Sequence, residues 1–175
     1  EQEKQIVIDF MPSISGAITG EKNRQKLFHK IIHAAITNTG AMSACIFEKK
    51  ADERFYRIAV EGLFPPQNQA SISTLKHTSS RTDFIKNAYE TESYASGEGL
   101  VGSVAQTGKP ILISRAKNDP RVIQHDDPAL HIHSLMLAPV IYDESLIAIL
   151  AVANPISGVP FDTMDFSLLQ SLASQ

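Results

Sequence analysis

Cysteine occurs once in these 175 residues, at Cys45. A single thiol excludes an internal disulfide framework and any zinc site built mainly on cysteine. Positive charge is not in excess either: 16 Lys and Arg stand against 19 Asp and Glu, a net charge of -3. Generic binding to nucleic acid or to an anionic membrane needs the opposite balance. No apolar run reaches the roughly 18–20 residues of a membrane span. The longest, 146–153, has the length of a strand. A signal-peptide pattern is also missing. What is there is ordinary: 43% hydrophobic and 20% charged residues, in a chain long enough for one well-buried domain and short for two. The chain opens at Glu1 without Met and stops inside a helical pattern at Gln175, so the expectation is an excised piece of a larger protein.

Residues 1–20 read as a linker or lead-in, with a short apolar patch interrupted at Pro12. Residues 21–38 carry Leu27, Phe28, Ile31, Ile32 and Ala35 on one helical stripe, with Lys26, His29, Lys30 and His33 on the other side. Gly40 is a stop signal. Two strands follow, 41–48 and 54–61, joined by a polar turn. Strict alternation in the second puts Phe55, Arg57 and Ala59 on one face. Residues 62–96 break every period, with a short helix over 81–90 as the one regular candidate. Residues 100–107 suggest a short helix closed by Gly108 and Pro110, then comes a strand at 111–113. A second irregular stretch, 114–133, holds three histidines. Strands at 135–142 and 146–154 surround a tight turn. The latter is apolar on both faces and is expected in the middle of a sheet. Asp162 and Asp165 form a capping-box pattern for a closing helix, and Phe161 with Phe166 a hydrophobic staple.

Two hairpins without helical crossovers imply an α+β architecture. The expected core is an antiparallel sheet of five to six strands, with terminal helices on one face and the irregular segments on the other.

The stretch 97–110, Gly-Glu-Gly-Leu-Val-Gly-Ser-Val-Ala-Gln-Thr-Gly-Lys-Pro, carries a more specific signal. So do Asn118-Asp119-Pro120-Arg121 after a short strand and Pro139 within the next one. In this order and spacing the chain resembles a GAF domain, a small-molecule sensor module of signalling proteins, over residues 21–175. Gly97, Gly99 and Gly102 also fit the dinucleotide fingerprint, but that motif needs a buried preceding strand within a βαβ unit. The plainer expectation is that Gly99 opens a helix and Gly102 lets it pack closely on the sheet. Cyclic-nucleotide-binding members of the family carry Asn-Lys followed by Phe-x-x-x-Asp-Glu. Asn154, Phe161 and Asp165 match, whereas Pro155 replaces the lysine and Phe166 the glutamate, so the pairing of lysine with aspartate is lost.

The residues also bear on other chemistries of the family. Its methionine sulfoxide reductases use a set of cysteines, and a lone Cys45 has no second thiol to resolve an attack. Bilin-bearing members attach the pigment through a cysteine in a loop, whereas Cys45 lies in an apolar strand. His29 and His33 are spaced i, i+4 but sit among lysines. His125, His131 and His133, with Asp126 and Asp127, are the candidates for iron or zinc, against the simpler reading of a polar loop. No Ser/His/Asp set, paired carboxylates or phosphate-binding loop is marked by a motif.

The reading is therefore a non-catalytic sensor domain of a bacterial signalling protein, cytoplasmic, with no resident metal or cofactor. The resemblance implies a pocket on one sheet face roofed by residues 62–98 and 114–133. Expected lining residues are Phe47, Arg57, Ser114, Asn118, Asp119, Val122, His125 and Met136. Arg57 interrupts an apolar strand, either to meet an anionic ligand or to reach solvent at an edge. The resemblance further implies a homodimer through the terminal helices and an output domain in the same parent chain, a kinase, cyclase or serine phosphatase. The run at 62–66, Gly-Leu-Phe-Pro-Pro, resembles members attached to such phosphatases. The rivals are a ligand-free dimerisation spacer and a metal- or haem-bearing gas or redox sensor.

Overall fold

The computed structural model describes residues 20–67, 86 and 89–174. The lead-in expected at 1–20 thus lies almost wholly outside the described residues, as does 81–85 of the helix expected at 81–90; residues 86 and 89–91 are helical.

Helix α1 spans Gly20–Thr39 and β1 spans Ala41–Lys49. They are followed by β2 (Phe55–Glu61), β3 (Ser93–Tyr94), α2 (Gly99–Thr107) and β4 (Ile111–Ile113). The last elements are β5 (Leu135–Tyr142), β6 (Ser145–Pro155) and α3 (Thr163–Ala173). The six strands form one sheet in the order β3-β2-β1-β6-β5-β4, and every pairing is antiparallel. Strand β6 lies centrally because both its faces are apolar, and no polar face is left for water. Its hairpin with β5 turns at Asp143 and Glu144, both with positive φ (52° and 64°), the conformation a two-residue hairpin requires to match strand twist.

The sheet separates two cores. On one face α1 and α3 pack Leu27, Phe28, Ile31, Leu169 and Leu172 against Ile46, Leu150 and Val152. This is the terminal-helix layer that the 3.6-residue period of α1 implies. Across the sheet, Cys45, Phe47, Ile149 and Ala151 meet Phe64, Tyr94, Val122 and the apolar side of α2. Helix α3 has the full capping box: Asp162 Oδ1 accepts from Asp165 N at 2.9 Å, and Asp165 Oδ2 accepts from Asp162 N at 3.0 Å.

Three local expectations are corrected. Alternation along β2 breaks between Arg57 and Ala59, which pair with Phe47 and Ile46 respectively, so one residue is extra. This bulge leaves Phe55 and Arg57 on the α2 side and turns Ala59 toward α1. Met136 also faces α1 and α3, because Leu135 and Leu137 on either side of it point the other way. Gly102 does let α2 pack closely, but against the turn before it. A Cβ there would lie 2.3 Å from Ala95 O and 2.9 Å from Gly97 N.

Candidate functional site

The face away from the helices centres on Arg57. Its side chain is 3% exposed, and that of Glu92 is fully buried. Arg57 Nε donates to Glu92 Oε1 at 2.5 Å. The ring of Tyr89 lies under the guanidinium, 3.9 Å from its carbon to the ring centroid. Phe47 and Phe64 stand further off, at 5.4 and 5.6 Å. A guanidinium stacks on such rings through cation–π attraction, which strengthens away from water. Burial alone would lower the Arg57 pKa; the negative charge of Glu92 and its hydrogen bond to Arg57 raise it instead. Burial also pushes the Cys45 thiol far up, so near neutral pH it carries no charge and Glu92 is the partner that matters.

The second Glu92 oxygen, Oε2, accepts from the Tyr94 hydroxyl and, at 3.4 Å, from Gln67 N. Burial, then Glu92, hold the Tyr94 hydroxyl protonated by raising its pKa. The Tyr89 hydroxyl donates to Phe64 O at 3.1 Å. Among the described residues, Arg57 Nη1 and Nη2 have no hydrogen-bond partner, although both are closed to solvent. An arginine shaped as a fork for two oxygens thus keeps that edge uncommitted. The alternative of a solvated edge arginine is overturned by its burial.

Described parts of the two irregular segments meet over this face. The Gln67 side chain accepts from Ile123 N at 2.7 Å and donates to Ile123 O at 2.9 Å. His125 Nε2 lies 2.8 Å from Pro66 O. Val122 and Phe64 pack in the same apolar cluster beneath.

Of the expected lining residues, Phe47, Arg57 and Val122 are brought together here, with His125 above them. The others go elsewhere. Ser114 Oγ donates to Phe161 O at 2.9 Å, before the α3 cap. Asn118 is exposed. Asp119 is held by Arg121, whose Nε and Nη2 reach its oxygens at 3.0 and 2.7 Å and lower its pKa. Met136 belongs to the helix-side core. His125, His131 and His133 do not converge: no group of three His, Cys, Asp or Glu able to hold a metal occurs among the described residues. Asn154, matched to the cyclic-nucleotide motif, accepts from His133 N at 2.6 Å and donates to His131 O at 2.9 Å. Asp165 is engaged in its cap.

Sequence reasoning missed Glu92, Tyr89, Tyr94 and Gln67. The available signal was Arg57 itself: a cation in an apolar strand calls for a carboxylate and rings, and the irregular segment held both.

A cleft of about 310 Å³ opens elsewhere, with Arg115, Lys117, His133 and Asn154 in its wall. Its three basic side chains are exposed, so water satisfies them and no ligand is required.

No helix among the described residues is long and apolar enough to cross a membrane. A sequence comparison with curated proteins finds no match. Among solved structures, the GAF domain of a phosphoenolpyruvate-protein phosphotransferase from Coxiella burnetii is similar, at TM-score 0.61 and 17% identity over 97% of this chain and 89% of that one. The GAF domain/HD domain protein from Geobacter sulfurreducens has TM-score 0.60 and 11% identity over 85% and 86%. The free methionine-R-sulfoxide reductase from Neisseria meningitidis, in complex with its substrate, has TM-score 0.60 and 12% identity over 99% and 87%. At such identities these likenesses bear on the fold alone. The family model for the GAF domain matches residues 23–175. With that match and the six-stranded sheet carrying its terminal helices on one face, the chain belongs to the GAF domain family.

Proposed function

We propose that this domain is a non-catalytic sensor that binds a small molecule on the Arg57 face and regulates an output domain of a larger bacterial signalling protein in the cytoplasm. The family is generally one of regulatory modules, and the neighbours include GAF domains named as parts of larger proteins. They also include an enzyme, the methionine-R-sulfoxide reductase. Against an enzymatic role here stands Cys45, which is the single thiol, wholly buried and hard to ionise. No metal or cofactor is part of the proposal.

The observation that carries it is the uncommitted edge of Arg57. Two buried donor groups without partners are costly, and a ligand that accepts from both relieves that cost. Residues 62–67 and 122–125 are tied together above the site, so a ligand here acts on both segments at once. The signal would leave through α1 and α3, which pack on the far side of the same sheet. These helices would also join the domain to a second copy: Met164 and Leu168, one turn apart on α3, are 74% and 40% exposed. The output would be a kinase, cyclase or serine phosphatase.

Native mass spectrometry of the purified domain tests the reading. A co-purified small organic molecule, absent from an R57K variant, supports it. A metal or haem mass points to a redox or gas sensor. An empty domain that gains no thermal stability across a metabolite panel points to a spacer. Light scattering on the intact protein tests the dimer, and a monomer at micromolar concentration would count against it.

A further inference from the structure

We infer that the ligand of the Arg57 site is a monocarboxylate with an apolar body and no ammonium group, held end-on by Arg57 Nη1 and Nη2. The inference deepens the sensor reading and rests on it.

Around the guanidinium, the acceptors of Glu92 and Tyr94 already have donors. Glu92 Oε1 takes Arg57 Nε, and Glu92 Oε2 takes the Tyr94 hydroxyl and Gln67 N. The Tyr94 hydroxyl also accepts from Gln67 N at 3.1 Å. The Tyr89 hydroxyl is turned away to Phe64 O. Among the described residues, the buried side-chain atoms without a partner here are donors, Nη1 and Nη2, lying in one plane. The complement of two coplanar donors is a pair of coplanar oxygens, the geometry of a carboxylate.

Charge and walls narrow the choice. Glu92 already matches Arg57 in charge, so an anion here shares the guanidinium with it, and a monoanion is disfavoured less than a dianion. A phosphate dianion needs more donors than two, and an amino acid brings an ammonium for which the described residues around the site offer no uncommitted side-chain carboxylate. Buried without one, that ammonium would carry a heavy desolvation cost. The surroundings are apolar: Tyr89 stacks on the guanidinium, and Phe47, Phe64 and Cys45 belong to the adjoining cluster. An aliphatic or aromatic body fits that wall and a polyol does not. Because Nη1 and Nη2 are closed to water, binding goes with local rearrangement, which slows association.

The test is calorimetric titration and thermal unfolding of the whole domain with matched probes. The carboxylates are isovalerate, phenylacetate and 3-phenylpropionate. The controls of the same skeletons are isovaleramide, phenylacetamide, leucine and phenylalanine. At least one carboxylate should bind and raise Tm, with its amide and amino acid at least about tenfold weaker, since each loses a charge-assisted pair or buries a bare ammonium. R57K, which keeps the charge but not the fork, should lose about tenfold or more in affinity. A purely structural Arg57 would instead lower Tm in R57K while leaving the ligand-induced rise unchanged, and that result overturns the inference. Equal binding of amide or amino acid overturns it while leaving the sensor reading intact. Failure of every carboxylate to bind, while another metabolite does, has the same meaning. Should R57K not fold, the comparison of carboxylate with amide on the natural sequence still decides.

Discussion

Arg57 and Glu92 form a closed pair whose halves are not equivalent. Glu92 has both oxygens engaged, whereas Arg57 has one nitrogen engaged and two without partners among the described residues. Removing the cation strands a buried carboxylate, so R57M should destabilise the domain by about 3–5 kcal/mol. Replacing both halves, as R57M with E92M, should recover most of that loss, because a packed apolar pair is often no worse than a buried ion pair. Denaturant unfolding of the two variants measures the difference. If R57M costs nothing, the pair is not buried as described. Cys45 gives a second residue-scale expectation. Its thiol is wholly buried and its pKa is pushed up by that burial, so a disulfide reagent at pH 8 should label it only as the domain unfolds. Fast labelling of the native domain would contradict its placement. Arg57 was legible in the sequence as an anomaly in an apolar strand. Its partner was not, because Glu92 lies 35 residues away in a segment with no period to place it.

Individual elements show why some local structure could be read and some could not. The α3 cap was legible in full, since Asp162 and Asp165 act on backbone within three residues. Hydrogen bonding to the Asp165 backbone lowers the Asp162 pKa. A group whose folded pKa is depressed contributes stability above its unfolded value, near 3.9, and loses it as pH falls through the folded value. D162A should therefore lower Tm at neutral pH, and the gap from the natural sequence should shrink below about pH 4. A gap independent of pH would show that the carboxylate does not cap the helix. Helix α2 depends on Gly102, whose missing Cβ lets the 95–97 turn fold back onto it. G102A should cost on the order of 1–3 kcal/mol by overpacking. Tolerance of alanine there would refute the close approach. The β2 bulge escaped the sequence reading, because alternation carries no mark of an inserted residue when the neighbours on both faces are apolar. It decides where Arg57 points. Met136 was misplaced for the related reason that β5 is buried on both faces, so pattern alone does not say which side a residue takes.

Over the whole molecule, the order of elements carried most of the information. Two hairpins, a central apolar strand and helices at the ends were enough to specify the antiparallel sheet and its helix layer. What sequence did not yield was the site, because its chemistry is assembled from β2, the run at 62–67 and residues 89–94, across long separations. The sheet joins the two halves of the account. Its one face holds the Arg57 cluster, and its other face holds the helices through which a sensor domain would act. Thermal unfolding across a broad metabolite panel, run in parallel on the natural sequence and on R57K, tests that account most directly. The account predicts that at least one small anion raises the Tm of the natural domain and raises that of R57K much less. A panel in which nothing raises Tm, or in which every effective compound acts equally on both, would contradict it.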